Sequence, residues 1–181
     1  MVNNQLIILD RDGVINQDSP AYIKSPDECH PIEGSLAAIA KLYKAGYRIY
    51  IATNQAGVAR GLLSVAALHA INDKLCHEVE EAGGRIEKVF YCPHDPDEGC
   101  GCRKPQPGLL FQIAEHAGVD ISEQVFVGDS MRDIDAARAA NCTPVLVLTG
   151  NGQQTLSELV EPVQVFEDLN DFATRWLEDK G

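Results

Sequence analysis

Short apolar runs alternate with helix-period stretches along this chain, and polar residues gather where the apolar runs stop. Leu6 to Leu9 is an unbroken apolar run ending at Asp10, which predicts a buried strand. Between Ser35 and Ala45, Leu36, Ile39, Ala40 and Tyr43 share one helical face, and Gly46 stops the pattern. Tyr47 to Ala52 predicts a second strand that ends at Thr53. Ser64 is placed to cap a long helix running to about Ala82. A third strand is predicted over Ile86 to Tyr91, a helix is marked by Leu110, Ile113, Ala114 and Ala117, and a fourth strand over Val125 to Val127 ends in Gly128-Asp129. Ile134, Ala137 and Ala140 mark the next helix, and Val145 to Leu148 the fifth strand. The tail carries a short strand near Val163 to Phe166 and an amphipathic helix around Leu169 to Leu177, which Phe172 and Trp176 are expected to dock.

Repeated strand–helix alternation predicts an α/β fold: a three-layer, Rossmann-like parallel sheet with helices on both faces. In such sheets ligands bind beyond the carboxyl ends of the strands. Asp10 and Asp12, Thr53 and Asn54, and Asp129 each follow an apolar run. Three predicted strand ends therefore aim polar side chains at one crevice. The length, 181 residues, suits one domain over 1–181, and no insertion long enough for a cap domain interrupts the pattern. Specificity is then expected from loops around Asp18, Gln55 and Arg103.

The formal net charge of -12 changes the picture. Such a surface repels nucleic acids and anionic lipids, so neither a nucleic acid nor a membrane is expected as a partner. A small phosphorylated substrate can bind only where local cations overcome that field. No apolar run approaches the ~20 residues needed to span a bilayer, and residues 1–6 lack a leader pattern. The reading is a cytoplasmic protein acting as a monomer. Of six cysteines, Cys29, Cys76 and Cys142 are scattered and read as buried or half-buried small residues. The other three cluster with a histidine, whereas His30, His69, His77 and His116 show no ligand spacing.

Four motifs carry candidate chemistry. Asp10-Arg11-Asp12-Gly13 puts two carboxylates two residues apart at a strand end. Asp10 suits a nucleophile, which divides one hard displacement into two easier ones, and Asp12 suits an acid that protonates the leaving oxygen. The same residues would also make a solvated turn. Thr53-Asn54-Gln55 offers a hydroxyl and backbone N–H groups to phosphate oxygens, or is an ordinary turn. Arg103-Lys104-Pro105 supplies two cations for a transferring phosphoryl group, or two surface charges. Gly128-Asp129-Ser130-Met131-Arg132-Asp133 offers carboxylates suited to magnesium, or an acidic helix cap.

A fifth cluster, Cys92-x-His94-x5-Cys100-x-Cys102, provides three thiolates and an imidazole. That is a closed tetrahedral zinc set with no open position for water, so the zinc is expected to be structural. Cys102 runs directly into Arg103 and Lys104, so a zinc there would fix the backbone from which the two cations project.

The order and context of the four motifs resemble the haloacid dehalogenase superfamily. The resemblance implies a magnesium-dependent phosphatase of the capless, haloacid-dehalogenase-like fold. It implies Asp10 as nucleophile, Asp12 as general acid and base, and Thr53 and Lys104 as holders of the phosphoryl group. Magnesium would be bound by Asp10, the backbone carbonyl of Asp12, and Asp129. Val14 stands where many members have Thr.

Longer stretches narrow the resemblance: Thr53-Asn-Gln-Ala-Gly-Val-Ala-Arg-Gly61, Tyr91-Cys-Pro-His94 and Cys100-Gly-Cys-Arg-Lys-Pro-Gln-Pro-Gly108. They are similar to heptose bisphosphate phosphatases. This implies loss of the C7 phosphate from a heptose 1,7-bisphosphate in surface-polysaccharide biosynthesis. It also implies that Asp18, Ser19, Pro20, Ala21, Tyr22, Asn54, Gln55, Arg60 and Arg103 contact the sugar or its second phosphate. The five-residue spacer between His94 and Cys100 resembles histidinol-phosphate phosphatases as well, which is the alternative substrate reading. A non-catalytic zinc-stabilised module would have no use for Asp10, Asp12, Lys104 and Asp129 together.

Overall fold

The structure, a computed structural model, describes residues 5–179. The expectation that no leader precedes the first strand rests on residues 1–6, of which 1–4 lie outside the described residues. The strands are β1 (Leu6–Leu9), β2 (Arg48–Asn54), β3 (Lys88–Cys92), β4 (Val125–Gly128), β5 (Thr143–Val147) and β6 (Gln164–Phe166). The helices are α1 (Ser35–Lys44), α2 (Val65–Glu81), α3 (Gly108–Ala117), α4 (Met131–Ala139), α5 (Gly152–Glu158) and α6 (Leu169–Glu178).

The strands form one parallel sheet in the order β3-β2-β1-β4-β5-β6. β1 lies inside it, with Ile8 level with Tyr50 of β2 on one side and Phe126 of β4 on the other. All four β1 side chains are buried, as a parallel sheet covered on both faces requires. Successive residues point to opposite faces. Ile7 and Leu9 join Ile49 and Ile51 in a core closed by α1, α2 and α6. Leu6 and Ile8 join Tyr50 and Ala52 in a second core closed by α3 and α4. The chain builds outward from β1 through β2 to β3, then returns to continue from β4 to β6. The strand order therefore reverses between β1 and β4, and a crevice opens at the carboxyl ends of these strands.

Local chemistry accounts for the element ends. The Ser64 hydroxyl accepts from Ala67 N at 3.0 Å and caps α2. Gly118 terminates α3 in the left-handed region at φ 70. On α6, Phe172 is fully buried, with its ring edge-on to Phe166 at 5.3 Å, and the Trp176 indole donates to the Tyr47 hydroxyl at 3.2 Å. Cys29 and Cys142 are buried and Cys76 half-buried, while His30, His69, His77 and His116 are exposed.

Some boundaries differ from the sequence reading. β2 continues through Thr53 and Asn54, because both pair in register with β3, opposite Tyr91 and Cys92. β3 starts at Lys88 and ends at Cys92, so one of the clustered thiols sits on the sheet. α5 was not anticipated. Its sequence, Gly-Gln-Gln-Thr-Leu-Ser-Glu, has one large apolar residue and no stripe, and its single exposed leucine is Leu156. Tertiary contact replaces the stripe: the Thr155 hydroxyl donates to the Asp129 carbonyl at 2.9 Å. Among the described residues no helix is long and apolar enough to cross a membrane.

Replacing Phe172 with Ala should cost roughly 3–5 kcal/mol, the usual range for emptying an aromatic core site. A urea titration should show a lower midpoint at unchanged m-value. A loss below about 1 kcal/mol would mean that the site collapses freely and that α6 is not anchored by this ring.

Candidate active site

The carboxyl ends of β1, β2 and β4 bring Asp10, Thr53 and Asp129 to a cavity of about 310 Å³. Asp10 is set by the sheet itself, since its backbone N–H donates to the Val127 carbonyl at 2.9 Å. Lys104 arrives from the loop after β3 and is only 2% exposed. Its ammonium lies 3.0 Å from Asp10 Oδ1 and 2.7 Å from Asp133 Oδ1, and donates to the Ala52 carbonyl at 3.0 Å. The ammonium is thus engaged by two ion pairs and one hydrogen bond.

Three carboxylates surround this one cation, and the imbalance shows in their acidities. Burial, then the charge of Asp133, raises the Asp10 carboxyl well above the usual range, with Lys104 offsetting part of the effect. Burial, then Asp133 again, pushes Asp129 up to about 6. Burial also acts to raise Asp133, but the Lys104 ammonium and hydrogen bonds from Ser130 outweigh it and hold Asp133 below its ordinary value. Burial likewise opposes the charge of Lys104, yet Asp10 and Asp133 together keep it above the normal lysine value.

Asp133 is fully committed within the protein. Its Oδ2 accepts from the N–H groups of Asp129 and Ser130, both at 3.1 Å, and from the Ser130 hydroxyl at 2.9 Å. It therefore shapes the turn that carries Asp129. Asp129 Oδ2 accepts from the backbone and side chain of Asn151 at 2.8 and 3.2 Å. Asp10, Asp129 and Asp133 each bring a carboxylate oxygen within 4.8 Å of the others, a spacing that suits a hard cation. With Asp133 spent on Lys104 and Ser130, Asp10 and Asp129 are the carboxylates left to face a metal. Gly13 at φ +87 and Gly150 at φ +55 crowd the same spot: a Cβ on either would overlap the Asp129 carboxylate. Only glycine combines that backbone with that approach.

Asp12 is gripped from four directions. Its Oδ1 accepts from Arg11 Nε at 3.0 Å and Asn16 Nδ2 at 2.7 Å; its Oδ2 accepts from Arg11 Nη2 and Gln55 Nε2, both at 3.0 Å. Arg11 is itself fully buried and donates its remaining arm to Asn72 at 2.9 Å. The Gln55 amide also donates to the Thr53 hydroxyl at 2.9 Å, which ties the second motif to the first.

The four cluster residues Cys92, His94, Cys100 and Cys102 also meet. Cys102 Sγ lies 3.2 Å from Cys92 Sγ, 3.6 Å from Cys100 Sγ and 3.3 Å from His94 Nδ1. A tetrahedral zinc with bonds of ~2.3 Å to sulfur has edges of about 3.8 Å, close to this spacing. Burial, then a hydrogen bond from Cys102, pushes the Cys92 thiol up to about 12, a crowding that a bound cation would relieve.

The expected substrate residues divide. Asp18, Ser19, Tyr22, Asn54, Gln55, Arg60 and Arg103 line the cavity. Pro20 and Ala21 do not. Pro20 borders a neighbouring shallow depression, and Ala21 is exposed, its carbonyl accepting from Lys24. Asn54 has a second occupation: its side chain accepts from Lys104 N and donates to Lys104 O, both at 3.0 Å, clamping that backbone. Arg60 is held by Asp95 at 2.6 Å and by the Tyr22 hydroxyl. Arg103 makes one long bond, 3.4 Å, to the His94 carbonyl. Sequence reasoning passed over Arg11, Asn16, Asn72 and Asn151 as site residues. Asn72 had a signal, since it interrupts the apolar stripe of Leu68, Ile71, Leu75 and Val79 on α2.

Comparison with known proteins agrees with this geometry. The family model "HAD-hyrolase-like" matches residues 101–172. The D-glycero-beta-D-manno-heptose-1,7-bisphosphate 7-phosphatase of Pseudomonas aeruginosa is 52% identical over 98% of this chain and 100% of its own length. The enzyme of the same name from Bordetella bronchiseptica is 50% identical over 97% of this chain and 99% of its own. The crystal structure of a Bordetella bronchiseptica D,D-heptose 1,7-bisphosphate phosphatase, complexed with magnesium and phosphate, superimposes with a TM-score of 0.94 at 50% identity, covering 97% of this chain and 99% of that one. That of Burkholderia thailandensis does so with a TM-score of 0.75 at 39% identity, covering 96% and 98%. By its sequence, its fold and the residues its strand ends bring together, this chain belongs to the D-glycero-beta-D-manno-heptose-1,7-bisphosphate 7-phosphatase family of haloacid-dehalogenase-like proteins.

Proposed function

We propose that this chain is a phosphatase that removes the C7 phosphate from D-glycero-beta-D-manno-heptose 1,7-bisphosphate. The products are heptose 1-phosphate and inorganic phosphate, on the route to nucleotide-activated heptose for bacterial surface polysaccharide. The observation that carries this reading is identity of 50–52% over nearly the whole chain with relatives of that name, on a scaffold whose strand ends converge on Asp10. Histidinol phosphate is the less favoured substrate, because relatives 50–52% identical over nearly the whole chain carry the heptose name.

In this reading Asp10 attacks phosphorus, the bond from phosphorus to the sugar oxygen breaks, and Asp12 gives that oxygen its proton. Asp12 then takes a proton from water, which attacks the phospho-aspartyl group and releases phosphate, regenerating Asp10. Two anions must meet in the first step. Lys104 already lies 3.0 Å from Asp10, and the Thr53 side chain stands on the neighbouring strand end, so both serve the phosphoryl group. Asp10, the Asp12 carbonyl and Asp129 would hold magnesium. When bound, it supplies the positive charge that one lysine among three carboxylates lacks. Cys92, His94, Cys100 and Cys102 would hold zinc in a structural role. A primary C7 phosphate reaches the floor of the crevice most easily, and Asp18, Ser19, Tyr22, Gln55 and Arg103 face the sugar above it.

Phosphorus NMR of the reaction should show the C7 signal replaced by inorganic phosphate while the C1 signal persists. Loss of the C1 phosphate, or faster turnover of histidinol phosphate, would reverse the assignment. Asp10→Asn should reduce kcat at least 10³-fold, in line with the loss of a nucleophile, with the circular dichroism spectrum unchanged. Chelation of magnesium should abolish turnover reversibly in the unaltered protein. A variant retaining a tenth of kcat would rule out the covalent route.

Elemental analysis of freshly purified protein should give one zinc per chain. Cys102→Ala should lower the melting temperature and kcat together, because it frees the segment that carries Lys104. Absence of zinc, or a variant with unchanged kcat, would contradict the proposed role of the loop.

A further inference from the structure

Four cations line the catalytic crevice: Arg60, Arg103, Lys104 and Arg132. Lys104 is saturated by Asp10, Asp133 and the Ala52 carbonyl. Arg60 is taken by Asp95 and Tyr22, and Arg103 leans on the His94 carbonyl. Arg132 differs from all three. It is exposed, and its guanidinium has no hydrogen bond, ion pair or ring contact with any of the described residues.

Its position is equally distinctive. Arg132 stands in the first turn of α4, between Asp129 and Asp133, both of which face the crevice. It borders three concavities at once. One is the crevice, one is the groove along Gly99–Gln106 of the zinc loop, and one is the depression between Gln17–Pro20 and Thr149–Asn151. The three meet at this side chain, at the rim rather than the floor. The other charges bordering the depression are Asp18 and Glu33, both acidic. An anion arriving at this rim in a chain of net charge -12 has few cations to meet.

We infer that Arg132 binds the second phosphate of the bisphosphate substrate and so sets the preference for a bisphosphate over a monophosphate. This inference rests on the proposed heptose reading and goes beyond it by naming the residue. A sugar whose reacting phosphate lies at Asp10 and Lys104 carries its other phosphate away from the floor, toward the rim. A guanidinium grips a phosphate through two parallel N–H donors, and one without an internal partner gives up no bond when it does so. Arg103, with its single long bond, faces the same crevice and can share the load. Arg60 would first have to leave Asp95.

The test compares kcat/KM for the heptose 1,7-bisphosphate with that for the same heptose bearing only the C7 phosphate, in the wild type, Arg132→Ala and Arg132→Lys. On the bisphosphate, Arg132→Ala should lose roughly 10- to 100-fold, the range for a charge-assisted hydrogen-bonding pair, mainly through KM. The loss on the monophosphate should be at least about tenfold smaller. Arg132→Lys should fall between, since it keeps the charge without the fork. Raising salt from about 50 to 300 mM should weaken bisphosphate binding to the wild type more than to Arg132→Ala. Equal losses on both substrates, or no loss on the bisphosphate, would overturn the inference while leaving the heptose reading intact. If the wild type itself turned over histidinol phosphate faster than the heptose bisphosphate, that reading would fail, and this one with it.

Discussion

A single buried ammonium organises the site. Lys104 reaches a position between Asp10, just past the end of β1, and Asp133 on α4, and it also donates to the β2 carbonyl of Ala52. Three elements distant in sequence are thus held by one side chain. A lysine buried to this degree survives as a cation only because two carboxylates compensate for lost hydration. Removing one partner from such an arrangement generally costs about 3–5 kcal/mol, because the others are left charged and dry. The third carboxylate, Asp129, makes no ion pair with this ammonium, and burial together with the charge of Asp133 pushes its pKa up to about 6. With one ammonium set against three carboxylates, the crevice lacks positive charge, and a divalent cation would supply it.

Everything that places Lys104 serves this arrangement. Asn54, at the end of β2, clamps the lysine backbone from both sides of the peptide. The segment from Cys92 to Cys102 leaves the sheet and returns next to Lys104, with its three thiols and one imidazole gathered at one point. That segment has little core of its own; its short turn at Pro96–Glu98 is held by a capping box between Asp95 and Glu98. A closed tetrahedral metal site, which these four side chains would form around a zinc, would substitute for a hydrophobic core where the chain is too polar to build one. Arg60 extends the brace outward, since its guanidinium joins Asp95 of this loop to Tyr22 of the facing loop. Tyr22 itself sits at φ 63, a conformation unusual for a side chain of that size and sustained only where its surroundings hold it.

Asp12 shows a different use of charge. A guanidinium with no exposed surface grips both of its oxygens, and two amides complete the set. Such a grip fixes the orientation of the carboxylate beside Asp10. The rim, by contrast, is left loose. Arg132 and the residues around Asp18 face solvent with few internal bonds, as suits groups that must exchange water for a ligand.

Much of this was legible in the sequence. The parallel sheet followed from apolar runs alternating with helical stripes, because burial on both faces leaves no other pattern for a strand. The catalytic candidates followed from polar residues standing where those runs stop, and the candidate metal loop from three cysteines and a histidine at close spacing. What the sequence could not disclose are interactions between residues with no local signature. α5 has no stripe, and it is held through Thr155 against the Asp129 carbonyl. Arg11 sits between two aspartates in a motif read for its carboxylates, and only the tertiary structure shows it buried against Asn72 of α2. Arg60 looks like a free cation until the fold brings Asp95 beside it, 35 residues away. Strand ends and ligand spacings are properties of short segments, so the chain itself determines them. Which cation is spent on a neighbour and which is left for a substrate depends on contacts across the sequence, and only the tertiary structure decides that.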